Sequence, residues 1–299
     1  MMLKAFLCLA TISTSIDLAG HIYIDFFPST RLANKMFLYA TAYAVATSKG
    51  LAVAAEADEI ERIFQVSYVH THKTNSPRYK VLDSNYNGRP DNQEFKPSIL
   101  NAKDGSTLTG FFQTDKYFYK YRSDLIKQFQ LRDRTITDQA QQILNQTGKF
   151  TICAHMRLGD YVKLRLAIMD NRYYFEAISL ILKELNLTQR ECAVIIISDE
   201  PYHNKVVSLT NFLTDQFPEL QISVQNQSSI LLDFELMRLA DACITSASTF
   251  SWWGAWLNEI CRLIVSPKYW LNYYNRLGRT YPADIEMSLP HQRFIFSTK

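Results

Sequence analysis

"FTICAHMRLGDYV", residues 150–162, starts as an apolar run and ends in charge. Phe150 to Ala154 reads as a buried strand, because a short continuous apolar run fits a strand covered on both faces. Positions 155–160 then hold His155, Arg157, Gly159 and Asp160. Charge at the end of a core strand is costly unless something pairs it. The partner is either a protein group, with Arg157 and Asp160 pinning a loop, or a ligand. Arg157 keeps its charge and offers a rigid fork of donors that matches a phosphate or diphosphate. Gly159 lets the backbone turn closely there.

Outward from this stretch the same pattern repeats. "CAVIIIS" (192–198) is an apolar strand followed by Asp199, and "QISV" (221–224), "ACIT" (242–245) and "RLIVSP" (262–267) are shorter strands. Between them, 171–185, 202–217, 229–241 and 251–260 carry helical patterns. Alternating helices and apolar strands predict a parallel sheet covered on both faces. Upstream, "HIYIDFF" (21–27) predicts a strand and "PST" a turn, with Ser29 or Thr30 available as a helix cap. Residues 31–50 predict a helix, with Leu32, Met36, Tyr39 and Tyr43 on one face and Gly50 at its end. "LAVAA" (51–55) predicts a further strand. Residues 70–110 are polar, carry Pro77, Pro90 and Pro97, and read as irregular. "TLTGFFQTDKYF" (107–118) regains apolar character, and 120–148 reads as one polar helix ending at Gly148. The fold class is therefore α/β, with two parallel-sheet domains. The N-terminal one spans 21–145 and the C-terminal one 146–299, after a leading segment 1–20.

The 299 residues are 47% hydrophobic and 20% charged, enough for large cores and unlike a disordered chain. A net charge of +3 suits a small anionic ligand and is too weak to argue for nucleic acid. There are five cysteines and no C-x-x-C pair. Cys153, Cys192, Cys243 and Cys261 lie in or beside apolar stretches and read as buried small hydrophobes. The start of the chain, with Lys4 and a short apolar segment, reads either as a signal-type segment or as a frayed terminus, and is too short for a span of about 20 residues. Sequons at Asn145, Asn186 and Asn226 tilt toward the secretory route.

Three constellations carry chemistry. "HMRLGD" (155–160) is the first. "TSASTFSWWGAW" (245–256) is the second, with Ser246, Ser248, Thr249 and Ser251 before a helix. A helix start offers free N–H groups and a positive dipole end, and hydroxyls add donors. One capping residue is ordinary; four hydroxyls in positions 246–251 exceed what capping needs. "STRLANK" (29–35) is the third, a strand-to-helix turn with Arg31 and Asn34. No G-x-G, H-E-x-x-H, G-x-S-x-G or D-x-D occurs, and no metal site is expected.

Together these stretches resemble the α-1,2-fucosyltransferase family of inverting glycosyltransferases. "HMRLGD" is similar to its H-x-R-R-G-D, and "STFSWWGAWL" (248–257) to its S-T-F-S-W-W-(G/A)-A-W-L. "GFFQTDKYF" (110–118), "ISDE" (197–200), "IVSPKYWLN" (264–272) and "RLANKMFLYATAYA" (31–44) resemble its G-Y-F-Q-S-x-K-Y-F, S-D-D, I-A-P-K-x-W and G-R-L-G-N-Q-M-F-x-Y-A blocks. The resemblance implies a glycosyltransferase B-type fold, two Rossmann-like domains facing a cleft. It implies GDP-β-L-fucose as donor substrate, no cofactor, and the 2-hydroxyl of a terminal galactose on a glycan as acceptor. By motif position, Arg157 meets the diphosphate, and His155 supports guanine or phosphate binding. Asp160 orients the loop or nucleotide, and Ser246, Ser248 and Thr249 add phosphate contacts. Asn34 and Arg31 approach the fucose from the first domain, and Asp25 and Asp160 are candidates for the base. It also implies a Golgi membrane enzyme with a lumenal catalytic domain, associated with the membrane through its N-terminus. Departures are Leu158 for the second Arg, Thr30 and Ala33 for the two glycines, Lys35 for Gln, and Ala247 for the Asn before the serine block. Thr30 is expected to strain its turn if that glycine needs positive φ. These departures leave a second reading open, a weak or inactive nucleotide-sugar-binding relative.

Overall fold

The computed structural model describes residues 20–26, 30–71, 79–82, 95–164, 168–227, 229–267 and 292–295. The expectations for the segment 1–19, for Cys8, for Ser29 as a cap and for 268–272 lie outside these residues. The first sheet holds β1 (His21–Ile24), β2 (Ala52–Ala55), β3 (Val69–His70), β4 (Tyr79–Leu82) and β5 (Ser106–Thr109). Its order is β3-β2-β1-β5-β4, and every pairing is parallel. The helix α1 (Leu32–Thr47) follows β1, and α2 (Glu59–Ile63) follows β2. The second sheet holds β6 (Phe150–Met156), β7 (Cys192–Ser198), β8 (Gln221–Val224), β9 (Ala242–Ile244), β10 (Leu263–Pro267) and β11 (Gln292–Ile295). Its order is β11-β10-β9-β6-β7-β8, again parallel throughout.

Two helices, α3 (Arg122–Gln128) and α4 (Arg134–Gln146), precede the second sheet. Within it, α5 (Gly159–Leu164) and α6 (Asn171–Glu184) follow β6 and α7 (Asn204–Gln216) follows β7. Then α8 (Ile230–Leu239) follows β8 and α9 (Thr249–Leu257) follows β9. From β6 outward, the order is that of a doubly wound dinucleotide-type sheet, which reverses direction between β6 and β9. The first sheet reverses between β1 and β5. Ligands of such sheets sit beyond the carboxyl ends of the strands at the reversal. His155 and Arg157 occupy one such end, and Asp25, Asn34 and Gln113 surround the other.

Two cores hold these layers. One, built on Ile152, Ile196, Tyr174 and Leu209, fills the face of the second sheet under α6 and α7. The other runs without a break from Ile22, Met36 and Phe118 in the first unit to Leu236, Trp252, Trp253 and Ile264 in the second. Its centre is aromatic. Phe37 lies 4.7 and 4.8 Å from Trp252 and Trp253, and Phe118 stacks on Trp253 at 5.4 Å. This explains why α1 is buried nearly all round: the first sheet covers one side and α9 the other. Cys153, Cys192, Cys243 and Cys261 are buried free thiols, as their apolar surroundings predict.

Three expectations need correction. The polar stretch 70–110 contains β4 and β5. Helix 120–148 is two helices, because the chain between them crosses to pair Leu131 with Phe64 and to bond Gln65 N–H to the Gln130 carbonyl. The N-cap of α1 is Arg31, whose side chain makes no cap bond, rather than Thr30. Neither Thr30 nor Ala33 adopts positive φ, so the lost glycines leave no strain at that turn.

Candidate functional site

The loop after β6 is built around Asp199, at the end of the neighbouring strand. Asp199 Oδ1 accepts the Leu158 N–H at 2.8 Å, and Oδ2 lies 2.9 Å from Arg157 Nη1. Gly159 sits between them at φ +24°. A Cβ there would lie 2.4 Å from Asp199 Oδ2, so only glycine lets the loop close on this carboxylate. Arg157 Nη2 donates to Asp160 Oδ1 at 2.7 Å, and the guanidinium lies over the Tyr161 ring at 5.6 Å. The internal pairing that spacing allowed is therefore present, and Asp199 adds to it. The remaining guanidinium N–H groups have no acceptor among the described residues.

The loop after β9 is tied to the first by side chains. Tyr161 O–H donates to the Ala247 carbonyl at 2.7 Å. His155 Nδ1 and Ser246 Oγ are 2.7 Å apart, and both residues are buried. Burial pushes the His155 pKa down to about 4 against the pull of Asp199, so the imidazole is neutral at pH 7. These two expected ligand contacts thus bond each other underneath the site. Ser251 Oγ accepts the Ser246 N–H and donates to the Ser248 carbonyl, which fixes the turn into α9. Ser248 is the N-cap, yet its hydroxyl makes no cap bond. Ser248, and Thr249 after it, keep their hydroxyls and the first N–H groups of α9 available to an anion.

From the first unit, Arg31 Nη1 donates to Asp160 Oδ1 at 3.0 Å, so one carboxylate oxygen holds two guanidinium groups across the units. Trp253 Nε1 donates to the Ala33 carbonyl at 3.0 Å, joining α9 to the first turn of α1. Asn34, one residue on, accepts from Gln113 Nε2 at 3.0 Å. Lys35 turns away and binds Asp58 at 2.8 Å and Glu59 at 2.9 Å. Burial works against its charge, and those two acids more than offset it, so its pKa is raised. Asp25 follows β1; its N–H bonds the Leu108 carbonyl, and no ion pair joins it to the Arg157 loop among the described residues.

The structure thus brings Arg157, Asp160 and Arg31 together, and joins His155 to Ser246 beneath them. Asp25 makes no ion pair with them among the described residues. Sequence reasoning missed Tyr161, Gln113 and Asp233. Asp233 lies on α8 with Oδ1 buried and without a hydrogen-bond partner among the described residues, and burial plus the Asp199 charge push its pKa up to about 7. Its signal was an acid inside the apolar run "LLDFELM". Among the described residues, no cluster of three or more His, Cys, Asp or Glu is arranged to hold a metal, and no helix is long and apolar enough to cross a membrane.

Known proteins resemble this chain in sequence and fold. The O-antigen biosynthesis glycosyltransferase WbnK of Escherichia coli is 26% identical over 228 residues, 72% of each chain. An alpha-1,2-colitosyltransferase of the same organism is 25% identical over 195 residues, 61% of this chain and 62% of that one. The fold is similar to that of fucosyltransferase NodZ from Bradyrhizobium, with a TM-score of 0.52 at 12% identity, over 82% of this chain and 94% of NodZ. That likeness shows the glycosyltransferase B-type fold. The family model of glycosyl transferase family 11 matches residues 7–273, and the chain belongs to that family.

Proposed function

We propose that this chain transfers L-fucose from GDP-β-L-fucose to the 2-hydroxyl of a terminal galactose on a glycan, with inversion and without a metal ion. The observation that carries the reading is the joining of the Arg157 loop to the start of α9, at the reversal point of the second sheet. Fucosyl transfer breaks a bond to a diphosphate, and negative charge grows on the leaving group. Fixed donors aimed at that charge lower the barrier, each worth about 3–4 kcal/mol. Arg157, the Ser248 and Thr249 hydroxyls and the N–H groups of α9 are such donors, with Arg31 and Asn34 facing them from the first unit. Asp160 holds the two arginines and so serves position. Asp25, without such a pairing, is in this reading the base that takes the acceptor proton.

The test is an assay of the purified chain with GDP-fucose and a panel of galactosides in EDTA, with the product linkage read by NMR. Transfer is expected, and Arg157→Ala should cut turnover at least about tenfold. No transfer and no hydrolysis of GDP-fucose would remove the activity. Because a relative is a colitosyltransferase, the colitosyl donor belongs in the same panel; a preference for it would change the sugar and keep the site. A second reading, a nucleotide-sugar binder without transfer, is favoured by Leu158, which is buried in the second core where the family signature has an arginine. Tight GDP binding in calorimetry without turnover would select it.

A further inference from the structure

Gln113 extends the reading above, on which its role rests. The chain leaves β5 through Gly110, at φ +143°, and Phe112, at φ +49°. Phe112 is a buried non-glycine residue in the left-handed region, a conformation that costs about 1–3 kcal/mol and persists only when its surroundings impose it. Thr114 N–H closes this turn onto the Phe112 carbonyl at 2.7 Å. The turn lies at the reversal point of the first sheet, where β5 meets β1, and it delivers Gln113 to Asn34. Gln113 is buried, and its Nε2 donates to Asn34 Oδ1 at 3.0 Å.

An amide has one accepting and one donating end. With Oδ1 taken by Gln113, the Asn34 Nδ2 is the end left over, and it has no acceptor among the described residues. Asn34 is in the first turn of α1, whose N-cap side chain makes no cap bond. The helix start and the Nδ2 therefore both offer donors, one sign of partial charge, at the same place. Trp253 fixes the preceding carbonyl from α9, so the backbone under Asn34 is anchored from both units.

We propose that Gln113 is a positioning residue that sets the polarity of the Asn34 amide, so that Asn34 presents N–H rather than C=O to the diphosphate of the donor. The strained Phe112 turn exists to aim it. Reversing the polarity at position 113 should turn the Asn34 amide over and set a carbonyl against an anion.

The experiment measures GDP-fucose affinity by calorimetry for the wild type, Gln113→Glu, Asn34→Ala and the double variant, with thermal melts as the check on folding. At pH 8 the carboxylate introduced by Gln113→Glu is ionised and can only accept. That variant should bind about tenfold or more weakly, the worth of one hydrogen bond to a charged group. As the pH is lowered through the pKa of the introduced carboxyl, which burial raises above the ordinary glutamate value of about 4.3, it regains its proton and can donate again, and the mutant-to-wild-type ratio should fall toward one. In the Asn34→Ala background the same substitution should change affinity less than about twofold, because its effect runs through Asn34. A merely structural role would show neither the pH rescue nor the coupling. Gln113→Leu, which removes the donor without adding charge, should lose about threefold to fivefold with no pH dependence. Unchanged affinity in either single variant, or a Gln113→Glu loss that persists without Asn34, would overturn the proposal. A wild type that does not bind GDP-fucose would overturn the functional reading first and this inference with it.

Discussion

At the scale of single residues, Gly159 and Asp199 determine what Arg157 can do. Asp199 accepts a backbone N–H and pairs with the guanidinium, and Gly159 leaves it the room. Gly159→Ala would push a methyl carbon to 2.4 Å from Asp199 Oδ2 at a left-handed φ. The loop must shift, at about 1–3 kcal/mol. The expected outcome is a lower melting temperature together with GDP affinity reduced about tenfold or more, since the fork loses its aim. Calorimetry and a thermal melt on one preparation check it; full GDP affinity in a destabilised variant would show that the loop geometry does not serve binding. Leu158 shows the other face of the same strand end. Its side chain lies in the second core with Met156 and Met169, where an arginine would have to bring its charge into apolar surroundings. The signature residue was legible as a departure, but its inward direction was not, because a strand end gives no periodicity to read.

At the scale of elements, two helix starts face each other, α1 from the first unit and α9 from the second. Neither N-cap side chain caps its helix. They are held together by the Trp253 bond to Ala33 and by the aromatic cluster of Phe37, Phe118, Trp252 and Trp253. Trp253→Phe keeps most of the ring contact and removes the side-chain donor to the Ala33 carbonyl, which keeps its place in the α1 ladder, at a cost of about 0.5–1.5 kcal/mol. A melting temperature lower by a few degrees is expected, with donor affinity falling as α1 loosens from α9. A variant with wild-type melting and affinity would show that this bond does not join the units. The tryptophans were legible as core, and the hydroxyls before them as more than capping. What was not legible was the break in 120–148. Residues 129–131 are no less apolar than their neighbours, and the helix stops only because the first unit offers Phe64 as a pairing partner. Asp133, which caps α4 through Thr135 N–H, was the one local sign.

At the scale of the whole molecule, the second sheet was legible almost strand for strand, because buried parallel strands such as "CAVIIIS" are apolar without interruption. The first sheet was legible only at β1 and β2. Its edge strands β3 and β4 are short, exposed or set in polar sequence, so nothing in their composition announces them. The site follows the same rule: segments at the ends of apolar strands were found, and the contacts that join them across loops were not. The two sheets place their reversal points toward one another, and the proposed chemistry requires a diphosphate lying between the Arg157 fork and the start of α9. A crystal structure of the wild-type chain with GDP tests this most directly. The diphosphate oxygens are expected to accept from Arg157 and from Ser248 or Thr249, with the Asn34 amide on the opposite side. A diphosphate bound elsewhere, with Arg157 still spent on Asp160 and Asp199 alone, would contradict it.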